Sequence, residues 1–186
     1  MIPRSILLAL SWGTLSVTPL RSTQLPQQLL PVYGGAGGTS FSRSCGVGKV
    51  LTGLRFRAGL LVDAVGLLCR PVSATGTLGS ESTVGTLVGG SSGTSGTVSC
   101  ATGSVVIGAG IRHGSYVDAL RLNCRRWQAS ERKFDAVGGF TNTIGNSLSI
   151  AASDAEQCAS VTQPAIGIRG RSHSLVDAIG FICDEP

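Results

Sequence analysis

The chain has 186 residues, of which 42% are hydrophobic, 13% charged and 5% aromatic, with a net charge of +5. Its 27 glycines, single methionine and lack of any amphipathic helical period exclude a helical bundle and suit an all-β protein rich in tight turns. The charge is mostly arginine, since Lys49 and Lys133 are the only lysines. These arginines are dispersed and aromatics are scarce, which argues against a nucleic-acid-binding face.

In chain order, Met1-Ile-Pro-Arg4 is followed by an apolar run from Ser5 to Val17. That is the length of a secretory signal and too short to span a bilayer. A Gln- and Pro-rich stretch from Leu25 to Pro31 follows, so residues 1–31 read as a leader and residues 32–186 as one domain. Three copies of one unit then appear, at about 32–72, 87–127 and 136–184. Each opens on a diglycine: Gly34-Gly35, Gly89-Gly90 and Gly138-Gly139. Each carries a first cysteine (Cys45, Cys100, Cys158), then an arginine, an aspartate six residues later (Arg57/Asp63, Arg112/Asp118, Arg171/Asp177), and a second cysteine six residues after that (Cys69, Cys124, Cys183). The first two copies are offset by 55 residues, and a fixed period of this kind decides the fold. In the third copy the distance from diglycine to cysteine is longer, which reads as an insertion around Thr141–Ser153. Between copies, Ser73–Thr86 reads as a surface loop or an edge strand.

Within each copy the strands can be read from alternation. After the aspartate, Val65, Leu67 and Cys69, then Leu120, Leu122 and Cys124, then Ile179, Phe181 and Cys183 fall on one face, while Arg121 and Asn123 fall on the other. Partner strands precede the aspartate at Val50–Arg57, Val105–Arg112 and Ala165–Arg171. The connecting segments, such as Ala58–Val62, are hairpin loops with the aspartate at the lip. A unit of about 55 residues cannot bury a core alone. Three Greek-key antiparallel sheets packed about a common axis can, giving a β-prism with internal threefold pseudo-symmetry. Six cysteines allow fifteen pairings; one pair per copy favours Cys45–Cys69, Cys100–Cys124 and Cys158–Cys183, and disulfides point to an oxidising, extracellular destination.

The stretch Ile166-Gly-Ile-Arg-Gly-Arg-Ser-His-Ser-Leu-Val-Asp177-Ala-Ile-Gly-Phe resembles the C-terminal signature of jacalin-related lectins. Gly34-Gly-Ala-Gly-Gly38 with Phe41 resembles that family's glycine-rich opening. The paired cysteines and evident repeats resemble the vitelline membrane outer layer proteins, which share the β-prism. The lectin resemblance implies a shallow sugar site built from a Gly-x-x-x-Asp loop and a diglycine loop. Gly59 to Asp63 and Gly114 to Asp118 match that pattern; in the third copy His173 stands at the glycine position and only Asp177 matches. Family topology would pair Gly34-Gly35 with Asp177, Gly89-Gly90 with Asp63, and Gly138-Gly139 with Asp118.

The chemistry fits independently of the family. An ionised carboxylate accepts hydrogen bonds from adjacent sugar hydroxyls, and glycine lets a donating backbone approach closely. A structural role is equally open to each aspartate: accepting backbone N–H groups across its turn, or pairing with the arginine six residues earlier. Leu60, Leu61 and Tyr116 sit at loop tips, facing either sugar or protein. His113 and His173 occupy unequal positions, against a shared metal. Asp154 and Glu156 read as a solvated acidic pair. There is no catalytic Ser-His-Asp pattern and no phosphate loop. The expectation is a secreted, non-catalytic, cofactor-free protein whose partners are glycans or glycoproteins, with no membrane span. The alternative is an extracellular coat or matrix protein.

Overall fold

The computed structural model describes residues 25–146, 148 and 152–186; the signal-like run lies outside them. Fourteen strands and one 3-10 turn make up the described chain: β1 Gln28–Leu29, β2 Tyr33–Gly34, β3 Thr39–Ser44, β4 Lys49–Ala58, β5 Val62–Pro71, β6 Ser82–Gly89, β7 Thr94–Ser99, β8 Ser104–His113, β9 Val117–Gln128, the turn Ala129–Glu131, β10 Lys133–Phe140, β11 Ile144–Gly145, β12 Ala152–Gln157, β13 Ala165–Ser172 and β14 Val176–Cys183. No helix among the described residues is long and apolar enough to cross a membrane.

The three long hairpins predicted from alternation, β4–β5, β8–β9 and β13–β14, are the centres of three antiparallel sheets. The first sheet runs β6-β5-β4-β7 and the second β10-β9-β8-β12, with β11 also on β9. Each is a Greek key, because the fourth strand crosses over to lie beside the first. The third sheet takes its flanking strands from the other end of the chain: β1 and β2 pair with β14, and β3 pairs with β13. The circle is thereby closed. Pairing begins at Gln28, upstream of Val32 and inside the stretch read as a leader, because Leu30 is buried and its N–H donates to Phe181 O at 2.9 Å.

The inward faces agree with the period of two. Val65, Leu67 and Cys69, Leu120, Leu122 and Cys124, and Ile179, Phe181 and Cys183 are all buried, and they meet Leu51, Leu54, Ile111 and Ile168 in one core. Asn123 lies on the outward face with Arg121 as expected but is covered there, donating to Gln157 Oε1 at 3.3 Å and accepting from Arg125 Nη1 at 2.6 Å. Each hairpin carries a register shift at the same place, between Leu51 and Gly53, Val106 and Gly108, and Ala165 and Gly167. Such bulges raise the local twist and let the sheets wrap one interior. Ser73–Thr86 resolves into a turn followed by edge strand β6.

The disulfides are Cys45–Cys69, Cys100–Cys124 and Cys158–Cys183, as expected. Each first cysteine follows a strand of one sheet and each second cysteine lies on the central hairpin of the next. Cys45 N–H donates to Ile166 O in the third sheet, whereas Cys69 is in the first. Every sequence copy therefore straddles two sheets, and its disulfide joins them: third to first, first to second, second to third.

Candidate functional site

The aspartates stand at the end of the prism opposite the disulfides. The three hairpin loops close alike: Gly59 N–H donates to Leu61 O at 2.9 Å, Gly114 N–H to Tyr116 O at 3.0 Å, and His173 N–H to Leu175 O at 3.0 Å. A β-carbon at Gly59 or Gly114 would meet nothing within 4 Å, and neither residue has a positive φ. Glycine is thus not required there, and His173 is no obstacle to the third loop.

Beside each aspartate a flanking strand delivers a backbone N–H. Gly35 N–H donates to Asp177 O at 2.9 Å, and Gly90 N–H donates to Asp63 O at 2.8 Å. Two of the three expected pairings therefore hold. The third does not. Gly138 and Gly139 pair with Arg125 and Cys124, near the disulfide end of β9, and the partner of Asp118 is Asn146, whose N–H donates to Asp118 O at 3.0 Å. The cause lies in conformation: Gly34, Gly89 and Gly145 share one structural position with φ of 135°, 116° and 83°. An L side chain rarely adopts that conformation, whereas the residue after it tolerates asparagine. The third-copy counterpart of the diglycine is Gly145-Asn146, and the apparent insertion shrinks accordingly.

The Asp63 and Asp177 side chains are nearly buried, 7% and 4% exposed. Glycine loops press against them: a β-carbon at Gly37 would collide with Asp177 Oδ1, one at Gly38 with Asp177 Oδ2, and one at Gly93 with Asp63 Oδ2. The arginines six residues earlier do not pair with these carboxylates. Arg57 donates from Nε to Ser92 O at 2.7 Å and from Nη2 to Gly93 O at 2.8 Å. Arg171 donates in the same fork to Gly37 O at 2.6 Å and Gly38 O at 2.7 Å. The guanidinium clamps the glycine loop, and the loop covers the aspartate. Asp177 Oδ2 is left buried with no hydrogen-bond partner, a costly state for a charged group.

At Asp177 the surface opens into a groove of about 310 Å3 bordered by Gly37, Gly38, Tyr116, His173, Leu175 and Asp177. Tyr116, 41% exposed, comes from the neighbouring hairpin. It lines the groove of Asp177, although sequence position grouped it with Asp118. Leu60 is exposed at its loop tip. Asp154 and Glu156 are not a solvated pair: Asp154 Oδ2 lies 2.8 Å from His113 Nε2, and Tyr33 OH donates to Glu156 Oε1 at 2.6 Å. The Glu156 hydrogen bond, followed by burial and by repulsion from Glu156 and Asp154, pushes the Tyr33 phenol up to about 12. No group of three or more His, Cys, Asp or Glu among the described residues is placed to hold a metal ion.

No family model and no curated protein matches the chain. Solved structures do. A mannose-binding jacalin-related lectin from Ananas comosus superimposes with a TM-score of 0.61 at 22% identity, covering 86% of this chain and 99% of its own. The Calystegia sepium agglutinin gives 0.60 at 18% identity, covering 87% and 99%. The wild-type Malaysian banana lectin gives 0.59 at 17% identity, covering 87% and 100%. The chain has the β-prism fold of the jacalin-related lectins.

Proposed function

We propose that the chain is a secreted, non-catalytic carbohydrate-binding protein whose sites lie at the aspartate loops, with the Asp177 groove the best formed. The observation that carries this reading is the nearly buried Asp177, one of whose carboxylate oxygens finds no hydrogen-bond partner among the described residues. A structural aspartate would be spent on such a partner. Asp177 instead borders a groove with Gly37, Gly38 and Tyr116, and its carboxylate accepts there from a sugar hydroxyl. The groove lies at the low end of the 300–1,000 Å3 usual for small-ligand sites, which suits one sugar ring. Tyr116 offers an aromatic wall for the ring's apolar face. Several solved structures of this fold are lectins, one of them named as mannose-binding and one solved with a bisected glycan.

Two or three charge-assisted hydrogen bonds in an open groove support about millimolar affinity, near −4 kcal/mol. Repetition of the loop on neighbouring sheets raises the apparent affinity for branched glycans through effective concentration. The three disulfides support an oxidising, extracellular setting. They also favour the second reading, a durable coat or matrix protein. A glycan array separates the two: binding by the parent chain, lost in a chain carrying Asp63→Asn and Asp177→Asn, supports the lectin reading. An array without any specific glycan leaves the coat reading standing.

A further inference from the structure

The outward face of the second sheet carries a basic groove that the sugar-binding reading does not use. It encloses about 150 Å3, bordered by Gly110, Arg112, Arg121, Phe140, Thr143 and Ser153 among others, and no carboxylate lines it. Its construction follows from strand pairing. Arg121 on β9 stands directly across from Gly110 on β8, and Ser153 on β12 stands across from Arg112. Without a side chain at Gly110 the Arg121 stem lies flat across the sheet: a β-carbon there would be 3.4 Å from Arg121 Nε. The guanidinium is then held over the Phe140 ring, 4.1 Å from its centroid. This fixes its plane without engaging its N–H donors.

The same cross-strand position in the other sheets shows what is particular here. Arg55 faces Gly66 in the first sheet and Arg169 faces Gly180 in the third, so one arginine opposite one glycine recurs in all three. Arg55 is consumed internally, with Nη2 donating to Gly85 O at 2.7 Å. Among the described residues no protein acceptor takes a hydrogen bond from Arg121 or Arg169, and of the three arginines Arg121 alone lies over an aromatic ring. The alternation of β12 completes the sorting of charge: Asp154 and Glu156 point toward His113 and Tyr33, leaving Ser153 and Ala155 on the groove side. A pre-oriented guanidinium, two hydroxyl side chains and no acid make an oxyanion receptor. The volume is below that of a site for a whole ring, so it suits a substituent.

We propose that this groove binds a sulfate or carboxylate substituent carried by an acidic saccharide, independently of the aspartate loops. The test is titration of the full chain with a heparin-derived tetrasaccharide and with its fully desulfated, re-N-acetylated counterpart, whose only ionic groups are carboxylates. Arg121→Gln is expected to weaken binding at least tenfold (about 1.4 kcal/mol) and Phe140→Leu two- to fivefold. Asp177→Asn and Arg43→Gln, the latter removing an exposed arginine on another sheet, are expected to stay within twofold. Retention of the desulfated probe assigns the carboxylate, and its loss assigns the sulfate. Binding of neither probe overturns the proposal. So does a loss in Arg43→Gln as large as in Arg121→Gln, which would mean diffuse charge attraction. An equal loss in Asp177→Asn overturns it as well, because the anion would then sit in the other site.

Discussion

Replacing Asp177 with asparagine separates a binding role from a structural one, because the two roles predict opposite signs for stability. The carboxylate is 4% exposed and one of its oxygens is buried without a partner. Holding an ionised group in that state costs free energy, and asparagine keeps the shape while removing the charge. The melting temperature of Asp177→Asn should therefore hold or rise, with each kcal/mol worth roughly 2–4 °C for a domain of this size. Sugar binding should fall by about 10- to 150-fold, the equivalent of one charge-assisted hydrogen bond of about 1.5–3 kcal/mol. From a millimolar start that is loss of detectable binding. Arg171→Gln is the counterpart. It strands the carbonyls of Gly37 and Gly38, so it should lower the melting temperature even though it leaves the carboxylate in place. Thermal melts of both variants, with NMR titration of a monosaccharide into each, give the answer. If Asp177→Asn melts more than about 8 °C below the parent, roughly 2 kcal/mol or more, and the parent binds no sugar, the aspartate is structural and the reasoning fails.

Gly37→Ala should abolish binding at the Asp177 groove and cost about 1–3 kcal/mol in stability, because its methyl collides with the nearly buried Asp177 carboxylate; NMR titration should lose the sugar and the melt should fall. Removing the bridge between Cys158 and Cys183, a separation of 25 residues, should cost about 3.5 kcal/mol by loop-closure entropy, seen as a shifted denaturant midpoint. The other two bridges span 24 residues each and should cost nearly the same; a bridge whose loss changes nothing would contradict the sheet-to-sheet staple. Tyr33 is pushed up to about 12 from an ordinary 10. A raised value means that its contribution to stability is complete below about pH 10 and is lost as pH rises through about 12. Ultraviolet titration should show a phenolate step near pH 12 that disappears in Tyr33→Phe and moves down in Glu156→Gln.

The fold was legible because three copies repeat the same inward alternation, and the bridges were legible because each copy keeps one pair. The aspartate loops were legible as loops. What failed was the diglycine of the third copy. A Gly-Gly string at 138–139 matched the letters of the other two copies, but the physical requirement is one positive-φ residue followed by a backbone donor beside the aspartate. Gly145-Asn146 meets it, a glycine followed by a small polar residue at about the same distance from Cys158. The partners of Arg57 and Arg171 were not legible. An arginine six residues from an aspartate suggests an ion pair, yet the fork reaches past the carboxylate to a glycine loop 35 or more residues away in sequence. Sequence spacing cannot reveal such a partner. The outward arginine facing a glycine was not legible because it switches strands between copies: it precedes the hairpin loop at Arg55 and Arg169 but follows it at Arg121.

The placement of the bridges explains how such loops are afforded. Along β14, Cys183 lies six residues from Asp177, about 20 Å at the rise of a strand. All three bridges thus stand at the far end from the sites, each tying one sheet to the next. At the loop end nothing covalent holds the glycine segments; two arginine forks do so at Asp63 and Asp177. An unsatisfied carboxylate under a glycine cover is a local liability, and a ring of staples elsewhere lets the domain tolerate it. Functional strain of this kind persists only where the surrounding structure over-determines it. The reduced protein should therefore show the first signs of unfolding while Asp177→Asn, reduced in the same way, survives to a higher temperature. If reduction erases no more stability in the parent than in the variant, the charge at Asp177 and the staples are independent, and the offset argued here does not exist.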